Sequence, residues 1–385
     1  MSPTVAVKPE LIRWAIERSG LPRGDMAIFP IGKWEKGQKQ PTLRQLEAFA
    51  KRTMTPLGYL FLSAPPEEKL PIPDFRTMGD TPIRRPSPNL IETVQTMQRR
   101  QTWMRDNLIE QGQAELPFIG ALKRRGDIKT GAERIRKTLG LSEDWAAEHE
   151  TWGRALFTLC NAAENAGILV TTSGIVGLST RRTLDPQEFR GFVLCDSYAP
   201  LIFVNGADAK SAQMFTMAHE LAHLWVGYGG LFNLMHMQPH DDEGEKYCNQ
   251  VAAEFLIPAG KLAARWPEAI NTDDPYQAIA RWFKVSPLVA ARRALDLKLI
   301  NKSAFFVFYN RYLEELHRQK AQAKKTGGNF YTTLNVRLGR RFAYAVVCAA
   351  HEGRLLYREA YELTGLSGKT FDKYATRLME RIRGG

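Results

Sequence analysis

The run His219-Glu220-Leu221-Ala222-His223 puts two imidazoles and a carboxylate within five residues. On a helix, positions i and i+4 lie one above the other, so both imidazoles face the same way about one turn apart. Two neutral nitrogens placed like that can bind one Zn²⁺, with Glu220 beside the open coordination position as a general base. A third protein ligand is needed to leave one position for water. The candidates lie in the stretch from Glu243 to Glu254, where the pattern predicts a second helix with Val251 and Ala252 facing inward. Glu245 is the favoured third ligand. Glu254, about two and a half turns farther on, is expected to point elsewhere. His236 and His240 compete as ligands from a segment rich in turn residues.

Such a site needs rigid elements around it. Ser211 to Val226 reads as one helix ending at Gly227. Before it, Gly167 to Thr172, Phe189 to Cys195 and Pro200 to Asn205 read as strands bounded by turn residues. Strands followed by helices, rather than regular βαβ alternation, predict an α+β unit. The strand Leu201 to Asn205 is expected to be an edge that holds an extended substrate, with Phe203 and Asn205 as substrate-binding residues. Upstream, Glu10 to Arg18 and Leu43 to Lys51 carry helical apolar faces that include Leu11, Trp14, Leu43, Leu46 and Phe49. Thr42 is placed to cap the second of them. Helices are also expected over Leu90 to Ile109, Ala132 to Leu139 and residues 275–299. The rest, from Phe305 on, reads as mostly helical around an undecided run, Phe305 to Tyr309.

The run EFRGFVLCDSYAPLIFVNGADAKSAQMFTMAHELAHLWVG, followed by EKYCNQVAAEFLIP, resembles the ImmA/IrrE family of zinc metallopeptidases over about residues 150–262. Within it, the ExxxN-xx-AA pattern opened by Glu245 resembles the second zinc-binding helix of gluzincin peptidases. Trp34 to Gly37 with Pro41-Thr42 is similar to the end of an Xre-type helix-turn-helix, and PPEEKLPIPDFR to the linker that follows it in longer family members. Cys248 departs from the family, where Ala is common at this position, and the chain beyond about residue 300 lies outside the shared core. The resemblance implies a cytoplasmic zinc endopeptidase that cuts a specific regulatory protein, a repressor or an antitoxin-type partner of a toxin. Zinc chemistry would then make Glu220 the acceptor of the water proton, with Tyr228, His236 and His240 as candidates for stabilising the oxyanion. The competing reading is a non-catalytic transcriptional regulator or antitoxin that binds a toxin through a protease-like domain.

The fold class expected is α+β and multidomain. An N-terminal all-α helix-turn-helix (1–62) is followed by a Pro-rich linker (63–89), which holds seven prolines. A helical connecting region (90–150) leads to a central zincin-like metallopeptidase domain (151–265). A helix-turn-helix-like unit (266–300) and a mostly α-helical, basic C-terminal domain (301–385) complete the 385 residues. The net charge of +12 comes from 53 Lys plus Arg against 41 Asp plus Glu, and residues 301–385 hold 16 basic against 7 acidic. A basic end can meet double-stranded DNA or an acidic protein partner. DNA contacts are expected from Lys33 and Lys36 and from Arg292 and Arg293. Arg340-Arg341 and the Tyr357 to Met379 helices, with Gly365 and Gly368 at their turn, form a third candidate. A homodimer fits the same layout. With 44% hydrophobic and 24% charged residues, wholesale disorder is excluded. No apolar run approaches the roughly 18–20 residues a bilayer requires. Four dispersed cysteines without a CxxC pair suit the reduced thiols of a cytoplasm.

Overall fold

The computed structural model describes residues 3–68, 70, 85–123, 125–228, 230–232, 243–322 and 330–383. They fall into two units, one of residues up to 70 together with 85–95, the other from Thr96 onward.

In the first unit, α1 (Pro9–Ser19), α2 (Ile31–Glu35) and α3 (Leu43–Arg52) enclose a small core of Leu11, Trp14, Phe29, Trp34, Leu46 and Phe49. Thr42 accepts a hydrogen bond from the Gln45 amide while the Gln45 side chain accepts one from the Thr42 amide, a reciprocal cap that starts α3 where the sequence predicts it. Leu43, expected on the apolar face, is 43% exposed because it occupies the first turn, before the helix meets its core.

A long helix, α4 (Pro88–Glu110), leads to α5 (Ile128–Leu139) and α6 (Trp152–Asn165), capped by Asp127 and Thr151. The strands β1 (Leu169–Ser173), β2 (Gly191–Leu194), β3 (Leu201–Asn205) and β4 (Gly230–Phe232) form one mixed sheet in the order β1-β3-β2-β4. β1 and β3 run parallel, while β2 is antiparallel to both β3 and β4. Every residue of β1, β2 and β3 is buried. Phe192 and Phe203, directly opposite each other, stack at 4.9 Å.

The sheet order corrects one expectation. β3 lies between β1 and β2, so its hydrogen-bonding groups are used on both sides and it is no edge for a substrate. Phe203 is packed in the interior, and the Asn205 side chain donates to the Phe189 carbonyl and accepts from the Ala207 amide. Neither side chain faces an incoming chain. The edges of the described sheet are β1 and β4. β1 has the junction of α13 (Phe330–Leu338) and α14 (Arg340–His351) against it. There Gly339, at φ +80°, lies so close to the Val170 carbonyl that a Cβ would stand 2.6 Å from it.

Between β3 and that junction, the described residues add six helices. α7 (Lys210–Val226) and α8 (Glu243–Leu256) pack on each other, and α7 also packs on β2 and β3. α9 (Ala259–Ala269), α10 (Pro275–Phe283) and α11 (Pro287–Asp296) follow, then α12 (Lys302–Gln322), which resolves the undecided Phe305 to Tyr309 run as helix. Phe305, Phe308 and Tyr309 share the i, i+3, i+4 spacing of one helical face. The chain ends with α15 (Tyr357–Thr364) and α16 (Gly368–Arg383). No described helix is long and apolar enough to cross a membrane.

Arg293 corrects a second expectation. Its guanidinium is buried and paired with Glu254, and it also donates to the Ile257 carbonyl at 3.1 Å. A side chain tied down in this way is no phosphate contact, whereas its neighbour Arg292 pairs with Asp296 nearer the surface. The pair also accounts for Glu254, which points away from the metal site as its helical phase requires. Removing one member strands a buried charge, so Arg293→Ala is expected to lower unfolding free energy by about 3–5 kcal/mol. Denaturant titration of the full chain reads that loss.

Candidate metal centre

α7 is buried on all sides from Gln213 to Trp225. A helix that is apolar all round belongs inside a protein, so the three polar residues of its motif enter the interior with it. The helix stops at Gly227 (φ +77°), and the Tyr228 amide turns back to the His223 carbonyl at 3.1 Å. Two further carbonyls of its last turn, on Leu224 and Trp225, accept from the Gly120 and Leu122 amides at 3.0 and 2.7 Å. Phe118 stacks on Trp225 at 4.4 Å in the same contact. The end of the motif helix is thereby held by protein amides.

α8 crosses α7 and brings in the third group. His219 Nε2 stands 3.3 Å from Glu245 Oε2, His223 Nε2 stands 3.2 Å from Glu245 Oε1, and the two imidazole nitrogens are 2.8 Å apart. A tetrahedral Zn²⁺ with bonds of about 2.0–2.1 Å has ligand–ligand edges of about 3.3–3.4 Å. The two edges to Glu245 match that figure and the imidazole–imidazole edge is somewhat tighter. Among the described residues, these three form the one cluster of side chains able to hold a metal ion, and all are buried. His236 and His240, the competing ligands, lie outside the described residues.

Glu220 is the second indication. It is fully buried, and neither carboxylate oxygen has a hydrogen-bond partner among the described residues. A buried carboxylate without a donor is costly and calls for a group that is not part of the polypeptide. Room for the Glu220 carboxylate itself is kept by Gly191 of β2, where a Cβ would stand 2.5 Å from Thr216 Cγ2 and 3.1 Å from Glu220 Oε1. Sequence reasoning did not reach Gly191, since nothing in the sequence near it announces a partner on α7.

The electrostatics follow from burial and mutual proximity. Burial, reinforced by His223, lowers the His219 pKa to about 4. Burial also acts to lower His223, but Cys248 and Glu245 outweigh it and hold that imidazole well above 6.5. Burial alone would raise Glu245, yet its hydrogen bonds to both histidines keep it well below the ordinary carboxylate range. Glu220 has no such donors, and burial pushes it up to about 8. Two residues of α8, Asn249 beside His219 and Cys248 beside His223, thus act to raise the pKa of these imidazoles. Outer partners of this kind orient ligating imidazoles. Asn249, one turn after Glu245, was already marked by the ExxxN pattern. Tyr228 stacks on His223 with ring centroids 5.9 Å apart.

The remaining sequence candidates lie elsewhere. Lys33 and Lys36 are exposed, the first on the five-residue α2 and the second at its end. All four cysteines are free; Cys248 is buried and the other three are partly exposed.

Two histidines at i and i+4, a glutamate from a second helix and a buried glutamate beside them are the arrangement that HExxH metal hydrolases use. The comparison with known families agrees. Residues 163–295 match the peptidase M78 family, described as the IrrE N-terminal-like domain, so this part of the chain is similar to a peptidase-type domain. That match supports the ImmA/IrrE resemblance. Residues 338–377 match a domain of unknown function, DUF8813. No curated protein is matched by the chain.

Proposed function

We propose that the chain is a zinc-dependent endopeptidase that cuts one specific regulatory protein, a repressor or an antitoxin-type partner. The observation carrying this reading is the closed triangle His219–His223–Glu245 with the unpartnered carboxylate of Glu220 beside it. His219, His223 and Glu245 would hold the ion, which when bound supplies Lewis acidity to a carbonyl and acidity to a water. Glu220 then accepts the water proton and returns it to the leaving amine. Its burial keeps it basic enough for the first transfer, and its freedom from other donors leaves both oxygens available. With β3 interior, the backbone of β4 is the strand that supports an extended substrate by antiparallel or parallel pairing.

Proton accounting gives a test that needs no substrate. The directions of these shifts favour a proton on His223 and on Glu220 in the metal-free centre, with His219 neutral and Glu245 ionised. To hold a metal, His223 would have to give up its proton, and Glu220 would be favoured as the ionised carboxylate. Uptake is therefore expected to release about one to two protons, and affinity to rise roughly tenfold or more per pH unit between about pH 6 and 7. Calorimetry of Zn²⁺ binding in buffers of different ionisation enthalpy counts those protons. An affinity independent of pH would contradict the assignment of these groups as ligand and base.

A further inference from the structure

The carboxy-terminal helices carry a feature that peptide-bond hydrolysis does not use. α15 and α16 are joined by three residues, Gly365 to Ser367. Gly365, at φ +72°, ends α15, Leu366 is buried between the helices, and Gly368, at φ +47°, opens α16. Phe371 and Tyr361 meet at 5.4 Å, and Ala360, Thr364, Phe371, Tyr374, Ala375 and Leu378 close the interior of the pair. Two short helices around a Gly-containing turn, with the second presenting a polar face, form a helix-turn-helix.

The polar face of α16 is the informative part. At 3.6 residues per turn, the buried residues 371, 374, 375 and 378 fall on one side. Lys369, Thr370, Lys373, Thr376 and Arg377 fall on the other, and all five are exposed. Three cations and two hydroxyls in one stripe are suited to phosphates and base edges. Asp372 lies at the margin of the stripe, and Glu380 is the acidic residue within it, one turn beyond Arg377. α14 packs on both α15 and α16, and at its start Gly339 abuts β1, the Arg341 amide donates to Glu164 and Arg340 bonds Asn165, so α16 rests on an anchored helix.

The other two candidate helices lack these properties. α2 has five residues, too short to cross a groove. α11 opens with Pro287 and Leu288, and Val289, Ala290, Ala291 and Arg293 are buried.

We infer that α15 and α16 form a double-stranded DNA-binding element, with α16 in the major groove and Lys369, Lys373 and Arg377 on phosphates or base edges. The test uses the full-length protein and a labelled random-sequence DNA duplex about three helical turns long. Anisotropy titrations between about 50 and 200 mM salt are expected to show binding that weakens steeply with salt. Replacing Lys369, Lys373 and Arg377 together with Ala should weaken binding at least about tenfold and reduce the salt slope by roughly 2–3. The Lys373→Glu variant alone should weaken it in the same direction. Removing three exposed cations of α5 (Lys129, Arg134 and Lys137) should leave binding as in the wild type. Equal affinity of the triple α16 variant, absence of binding by the wild type at low salt, or equally tight binding of double-stranded RNA would each overturn the inference. The last would do so because the narrow major groove of A-form RNA shuts a helix out.

Discussion

Replacing Glu220 with Gln is expected to leave zinc bound and to reduce cleavage of the protein substrate by about 10²–10⁴-fold, the range lost with a general acid–base group. Gln is nearly isosteric with Glu, so the pocket formed with Gly191 and Thr216 stays filled. It cannot accept a proton, however, and its carbonyl is a far weaker base than a carboxylate. Because Glu220 is buried with its pKa raised to about 8, the variant also removes a destabilising ionisation, and folding stability should hold or rise. Metal content by mass spectrometry and cleavage by gel, measured on the same preparation, separate a chemical defect from a binding one. A variant that cuts as well as the wild type would remove Glu220 from the mechanism.

The second large effect is expected at Glu245. With Ala there, the triangle loses its α8 vertex, and the two histidines remain on one side of the site. Zinc binding should fall by at least about 10²-fold, since two ligands in place of three do not hold a catalytic Zn²⁺. The wild type at about 100 times its dissociation constant of Zn²⁺ gains about 2.7 kcal/mol of stability, and the variant should show almost none of that gain. Thermal unfolding with and without zinc reads the difference. Equal stabilisation of the variant would move the third ligand to another residue.

Legibility in the sequence followed the range of the interactions. The two histidines and Glu220 were readable because a helix fixes i and i+4 geometry locally. Glu245 was readable because the ExxxN-xx-AA pattern that it opens resembles the second zinc-binding helix of gluzincin peptidases. The reciprocal cap at Thr42 and the αL glycine after Val226 are equally local. What failed depended on partners remote in the chain. The position of β3 inside the sheet rests on β1 and β2 pairing to either side of it, and the sequence of β3 is the same whether it is central or edge. Arg293 reads as a surface cation until Glu254, 39 residues away, is brought against it. β4 carries only three residues, too few for an alternating pattern to stand out. Gly191 matters because of what it leaves room for on a different helix.

The charge excess of the last 85 residues has a more specific reading as well. Part of it serves as anchorage, with Arg340 bonding Asn165 and pairing with Glu164. The rest includes the exposed stripe on α16. Net charge alone does not distinguish these uses.

The central claim is that this buried centre hydrolyses a peptide bond in one partner protein. The Glu220→Gln chain, retaining metal and the substrate surface, should hold that partner uncut when purified from its own cells. Adding zinc-loaded wild-type protein to the isolated complex should convert the partner into two fragments whose masses sum to the intact chain plus one water. A partner that keeps its full mass in the presence of stoichiometrically zinc-loaded wild-type protein would contradict the account.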